Sequence, residues 1–562
     1  MMTLNMWYPL VRDLTLALVR FPSVTNTPGE VAFAQHLYDL LSGHPYFRAN
    51  PDHLRVERAP NDPRGRSNVF ALMRGAGRET VALTGHYDIV SVENYGDLTP
   101  WACDPEALRP RLIAELDGNA QSEADRLALA DLKSGTFMPG RGALDMKSGI
   151  AAGIAVLYRF AEAAERNGNL LLIATPDEEQ TSQGMQAAVA RLPALVRKWD
   201  LALIGAINLD ATTDRGDGRD GQAIFLGSVG KLLPSVYIVG RDTHACAPFD
   251  GVSANLLAAE VTRRIECNPA LADIAEGEAA PPPVSLKQTD LKEYYDVTTP
   301  TAAWCYYNLL TYRRSPAEAL AQIVDTVQDA LDSAMAYLQE QAHRYAELAG
   351  SAVPAPGWMP RVLTFVDLKR RALARGGPTV ELALAELIAR LVDDQTVDLP
   401  LFSRHITGLL WSFSDLSGPA AVVGFAALYY PRVFVGETDA QRIRLRQAAA
   451  RQAEALARET GRSIRLRPFF PGISDMSFLG CADTPADLAA VAENTPAWGS
   501  RSRFDYAAAR ALDLPVINIG PWGRDYHQRL ERVYMPYSFG VLPELIWRIV
   551  GDLFGRNRVG GL

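Results

Sequence analysis

The sequence predicts an α/β protein with a mixed, largely parallel sheet flanked by helices, into which a smaller α+β domain is inserted. Two textures carry this expectation. From residue 10 to about 230, helix-like pieces such as EVAFAQHLYDLL and MKSGIAAGIAVLYRFAEAA alternate with strand-like pieces such as ETVALTG, NLLLIAT and LALIGAINL, the pattern of a layered sheet. The same alternation returns near the C-terminus in SIRLRPFF, AAARAL and LPVINIG.

Between these regions the pattern changes. LPSVYIVG (233–240) and AAWCYYNLLTY (302–312) read as strands, and GVSANLLAAEVTRRI and the long PAEALAQIVDTVQDALDSAMAYLQEQAHRYAELA as helices. Pro281 to Pro283 mark a loop. GSAVPAPGWMP reads as a linker before further helical material to about residue 415. The expected organisation is a main domain whose first part spans 1–231, an inserted domain over 232–435 with an extra helical segment at about 346–420, and the second part of the main domain over 436–562. A chain of 562 residues exceeds one ordinary core, which agrees with two domains. No solenoid repeat is visible.

Composition narrows the function. With 48% hydrophobic and 22% charged residues and a net charge of -9, neither nucleic acid nor an anionic membrane is expected as a partner. The N-terminal apolar stretch is interrupted by Arg12, Asp13 and Arg20, which suits an amphipathic helix and no export signal. Five dispersed cysteines without a C-x-x-C pair indicate neither a disulfide framework nor a thiolate metal site, and fit a reducing cytoplasm.

The chemistry concentrates where strands end. His86 and Asp88 follow ETVALTG, Glu178 and Glu179 follow NLLLIAT, Asp210 follows LALIGAINL, and His527 comes soon after LPVINIG. In an open parallel sheet these ends share one edge, where ligands bind. Asp145, between a glycine-rich loop and a helix start in GRGALDMKSG, can point to the same crevice. Two carboxylates about 4 Å apart repel by roughly 4 kcal/mol at an effective dielectric near 20, so several together favour a cation. Imidazole and carboxylate donors without thiolate suit Zn²⁺ and also permit Mn²⁺ or Co²⁺. Asp145 is placed to bridge two such ions. A lone G-H-x-D or D-E-E is more simply a strand-end histidine or a solvated turn. Five such motifs at strand exits point to one site. The remaining histidines, His36, His44, His53, His343 and His405, have no comparable setting and read as surface or packing residues.

The words SVTNTPGE, TGHYDIV, GRGALDMKSG, ATPDEEQTSQG, THACAPFDGVSAN, GISDMSFLG and GPWGRDYHQRLERV, in this order, resemble the co-catalytic zinc peptidases and deacylases. That family includes aminoacylase, acetylornithine deacetylase, succinyl-diaminopimelate desuccinylase and glutamate carboxypeptidase. The length and long middle region look most like its arginine-utilisation, RocB-type deacylases. The resemblance implies a zinc-peptidase-like catalytic domain and an inserted lid and dimerisation domain. It also implies two divalent ions, one held by His86, Asp145 and Asp210, the other by Asp145, Glu179 and His527. Asp88 would orient His86, Glu178 would be the general base, and Asp177 would shape the turn. His244 matches a lid histidine that, in dimeric relatives, reaches the partner subunit's site and supplies an oxyanion donor. The implied reaction is amide hydrolysis, deacylating an N-acyl amino acid or cleaving a short peptide; a non-catalytic scaffold is the reading from a different class.

The pattern also departs from the family. After the lid histidine, relatives carry Gly-Val-Asn-Ala, where this chain has Gly251, Val252, Ser253 and Ala254, with Asn255 one step later. Arg313 and Arg314 lie near the place of a substrate-binding arginine, but paired arginines at a strand end are more often solvated. Tyr87, Trp101, Trp522 and Tyr526 flank the motifs and suit either a pocket lining or core packing.

Overall fold

The structure, a computed structural model, describes residues 2–60, 62–214, 221–350, 352, 357–394, 396–470, 472–502 and 504–555. The chain divides into two compact units, one of Met1–Ser228, Val433–Cys481 and Asp505–Leu562, the other of Val229–Arg432 and Ala482–Phe504. Sequence boundaries at 231/232 and 435/436 stand beside breaks at 228/229 and 432/433. Residues 482–504, expected within the second part of the main domain, belong to the second unit. They do so because the helix Pro485–Asn494 places Asn494 Oδ1 where it accepts the Val366 N–H at 3.1 Å.

The first unit is built on eight strands: β1 (Leu54–Arg58), β2 (Ser67–Arg74), β3 (Ala76–His86), β4 (Asn167–Thr175), β5 (Ala202–Asn208), β6 (Ala223–Phe225), β7 (Arg465–Arg467) and β8 (Val516–Asn518). Their order is β1-β2-β4-β3-β5-β8-β6-β7. β4, β3, β5 and β8 run parallel to their neighbours in that series. Leu170 to Ala174 are all completely buried, because helices cover both faces and leave no side for polar alternation. One covering helix is α1 (Ser148–Glu162), whose residues 148 to 157 are all buried.

Register explains why distant motifs meet. His86 pairs with Thr175, Thr84 with Asn208, and Asn208 with Asn518. The parallel strands therefore end side by side, and the segments leaving them enter one crevice. Close packing fixes one of these exits: a Cβ on Gly520 would stand 1.8 Å from the Asp210 carbonyl oxygen.

The second unit has a six-stranded sheet with Gly230–Leu232, Ala302–Thr311, Pro234–Val239, Ala420–Phe425 and Arg361–Thr364 in that order, and Val284–Asp290 beside Ala302–Thr311. Its longest helix, Pro316–Ala349, starts on a capping box of Ser315 and Glu318 with Pro at its first turn, a strong start signal. Residues 351 and 353–356 of the expected linker over 350–360 lie outside the described residues; Phe365–Leu391 and Leu399–Ser412 supply the helical segment after it. Ala420–Phe425 is a fully buried central strand that the sequence pattern, lacking alternation, does not announce.

Candidate active site

Five segments of the first unit bring their acids and imidazoles together. His86 Nε2 lies 3.1 Å from Asp145 Oδ1, 3.8 Å from Asp210 Oδ1 and 3.9 Å from Glu178 Oε2. His527 Nε2 lies 3.0 Å from Asp145 Oδ2 and 3.1 Å from Glu179 Oε2. Ligand atoms of His86, Asp145 and Asp210 fall within 4.8 Å of one another, as do those of Asp145, Glu179 and His527. The two triads share Asp145, one carboxylate oxygen toward each imidazole.

Each donor is held from behind. The His86 Nδ1–H donates to the Asp88 carbonyl oxygen at 3.1 Å, which points Nε2 into the crevice. The Asp88 carboxylate, expected to orient His86, stands 3.5 Å from Nδ1. Its nearer contacts are the N–H groups of Glu178 at 3.1 Å and Glu179 at 3.3 Å, and the Thr25 hydroxyl at 3.0 Å. Asp88 thus fixes the backbone that carries both glutamates. Asp210 accepts from Ser474 Oγ and from the Ala211 N–H, both at 2.8 Å, while its own N–H donates to Asn518 at 3.0 Å.

Asp177 turns away from its two neighbours. It sits at φ +68°, a left-handed conformation that Asp tolerates, and its carboxylate accepts from the Gln183 N–H, the Thr181 hydroxyl and Arg66. The turn separates it from Glu178 and Glu179, which face the imidazoles.

Electrostatics shows a site short of positive charge. Burial disfavours the His86 cation, yet Asp145, Asp210 and Asp88 overcome this and raise its pKa well above the imidazole range. His527 follows the same logic, burial opposed and outweighed by Asp145 and Glu179, to about 10. Glu178 is pushed well up, by burial and then by the neighbouring acids, despite His86. Burial likewise raises Glu179, which His527 partly offsets. Asp475 behind them reaches about 7, chiefly through burial. Without metal, the cluster recovers charge balance by binding protons. Its N and O donors fit divalent cations, which would take their place.

Other residues fall elsewhere. His244 belongs to the second unit, where it is exposed and its Nδ1 accepts the Cys246 N–H at 3.1 Å. Arg314 donates to the Leu271 carbonyl at 2.8 Å, and Asp273 accepts the backbone N–H groups of Arg313 and Arg314 at 2.7 and 2.6 Å, so the pair closes a turn. Asn255 is bonded to Asp290 at 3.1 Å. Tyr87 and Trp522 are core residues, Trp101 is covered by the Arg111 guanidinium, and Tyr526 alone of the four aromatics is exposed beside His527. Sequence reasoning gave no role to Ser474, Asp475, Arg66, Arg141 or Glu531. The first two lie in GISDMSFLG, and buried polar residues in a motif were the signal available.

A model of peptidase family M20/M25/M40 matches residues 82–508. The chain belongs to this family. Protein RocB of Bacillus subtilis is 32% identical over 98% of this chain and 96% of its own, and the uncharacterized protein YqjN of the same organism is 33% identical over 98% and 97%. A succinyl-diaminopimelate desuccinylase of Roseobacter denitrificans is 28% identical over 42% of this chain and 50% of its own. Among solved structures, a tripeptidase from Staphylococcus aureus shares the fold, with a TM-score of 0.51 and 14% identity over 98% of this chain and 99% of its own. The protein is therefore a metal-dependent hydrolase, and the twin triads suit two divalent ions.

Proposed function

We propose that this chain hydrolyses an amide bond of a small substrate, removing the acyl group from an N-acyl amino acid. The observation that carries the reading is the pair of donor triads sharing Asp145, with Glu178 beside them. His86, Asp145 and Asp210 would hold one ion, and Asp145, Glu179 and His527 the other. Zn²⁺ suits these donors, as do Mn²⁺ and Co²⁺. When bound, the pair would supply Lewis acidity that makes water acidic and polarises the scissile carbonyl.

The chain's own residues would move the protons. Glu178, largely buried beside the triads, takes a proton from the attacking water and returns it to the leaving amine. Asp88 keeps its backbone in place. His244 is the donor proposed for the tetrahedral oxyanion: its Nδ1 accepts a backbone N–H, so the neutral ring carries its hydrogen on Nε2, ready to donate. A homodimer through the second unit, in which this histidine serves the partner's site, belongs to the same proposal.

Similarity to desuccinylases and to RocB supports deacylation, with arginine metabolism as the setting. The family's name as peptidases supports the second reading, an exopeptidase on dipeptides or tripeptides. Among the described residues no helix is long and apolar enough to cross a membrane. The five dispersed cysteines, all free thiols, support a cytoplasmic location. A panel of N-acyl amino acids and short peptides, assayed with Zn²⁺, Mn²⁺ or Co²⁺, tests the assignment. Turnover of N-acyl amino acids alone is expected; turnover of peptides alone moves it to the second reading.

A further inference from the structure

Arg141 lies four residues before Asp145, and Glu531 four residues after His527. Both side chains are buried, at 1% and 0% exposure, and form an ion pair at 2.5 Å. Neither is a candidate ligand. A buried pair of this kind is weak evidence for stability, so its remaining bonds are informative.

Four of the six go to the backbone that presents metal donors. Glu531 Oε1 accepts the N–H groups of Gly142 at 2.9 Å, Leu144 at 3.3 Å and Asp145 at 3.4 Å. The loop thereby closes around one carboxylate oxygen, with its N–H dipoles converging on negative charge. Gly142 makes this wrap possible at φ +76°, where a Cβ would meet Ile89 at 2.5 Å. On the other side, Arg141 donates to the His527 carbonyl at 3.3 Å and to Asn94 Oδ1 at 2.9 Å, and Asn94 Nδ2 donates to the same carbonyl at 3.2 Å. That carbonyl needs fixing, because His527 sits at φ +62°, a backbone region costly for a residue with a Cβ. Arg141 Nε also donates to Ser91 O at 3.2 Å.

We propose that Arg141 and Glu531 are positioning residues: the pair locks the Asp145 loop to the His527 turn, so that the shared ligand and a ligand of the second ion stand preset before metal arrives. This rests on the twin-triad reading of the site. A pair serving stability alone would leave the metal geometry unchanged when altered.

The test uses the full-length protein loaded with Co²⁺, with affinities from chelator competition, the visible d–d spectrum, and thermal unfolding of the metal-free form. Wild type should bind two ions; fewer than two sinks the metal reading itself, and this proposal with it. Glu531→Gln, which keeps the volume and removes the charge, should weaken Co²⁺ binding about 10- to 100-fold, the usual cost of losing a supporting partner. It should also change the spectrum and lower kcat with little effect on KM. Arg141→Lys should fall between wild type and Arg141→Ala. Asn94→Ala, at an exposed position, leaves the buried pair intact and should weaken one of the two ions selectively. Wild-type affinity and spectrum in Glu531→Gln and Asn94→Ala, with only a lower unfolding temperature, would overturn the proposal.

Discussion

Two acid-rich clusters lie side by side in the first unit, and they neutralise themselves differently. Around Arg66, the carboxylates of Glu30, Asp62 and Asp177 gather on one guanidinium, every group at least 95% buried. Around His86 and His527, five carboxylates gather, those of Asp88, Asp145, Glu178, Glu179 and Asp210, and among the described residues no lysine or arginine forms an ion pair with them. The first cluster carries its cation covalently and shapes a turn. The second must import its charge. Consecutive residues divide between them: Asp177 goes to the arginine, Glu178 and Glu179 to the imidazoles.

The comparison breaks most completely at the shared ligand. Asp145→Asn removes the negative charge and one of the two oxygens that Asp145 offers to the triads, and elemental analysis should find metal content well below that of wild type, with hydrolysis lost. Wild-type metal content in this variant would remove Asp145 from the centre. Glu178→Gln should retain both metals while kcat falls by about 10²- to 10⁴-fold, the range for loss of a general acid-base group; unchanged turnover would refute the assigned base.

In the arginine cluster the effects should appear in stability. Arg66→Met strands three buried acids, and equilibrium unfolding at neutral pH should show a loss of about 3 to 5 kcal/mol. A loss within error of zero would mean that those acids are already compensated. Glu30→Gln sharpens the contrast with a smaller effect. Burial, followed by the charge of Asp88, raises the Glu30 pKa to about 7 in spite of Arg66. Between its unfolded value and 7, the folded state therefore holds the proton more tightly, and stability falls as pH rises through this window. The variant should flatten that slope, gaining up to about 3 kcal/mol at pH 8 relative to wild type. An identical pH profile in variant and wild type would contradict the shift.

The strand exits were legible because hydrophobic runs such as Leu170–Ala174 end abruptly in acids, and parallel register turns sequence position into spatial proximity. His86, Asp145, Glu179, Asp210 and His527 could be named on that basis together with the family motifs. The partners behind them were not legible. Nothing in the spacing of Arg141 and Glu531 shows that one carboxylate oxygen gathers three backbone N–H groups, and Asp88 holds the glutamate backbone through contacts that only the folded chain creates. The strand Ala420–Phe425 was missed because complete burial erases alternation. The role proposed for His244 rests on its motif alone, and its local hydrogen bond adds a tautomer but no chemistry by itself.

Anomalous diffraction from crystals of the metal-loaded protein at the Zn or Co absorption edge tests the central claim most directly. Two peaks are expected, one contacted by His86, Asp145 and Asp210 and the other by Asp145, Glu179 and His527. A single peak, or peaks away from Asp145, would contradict the account.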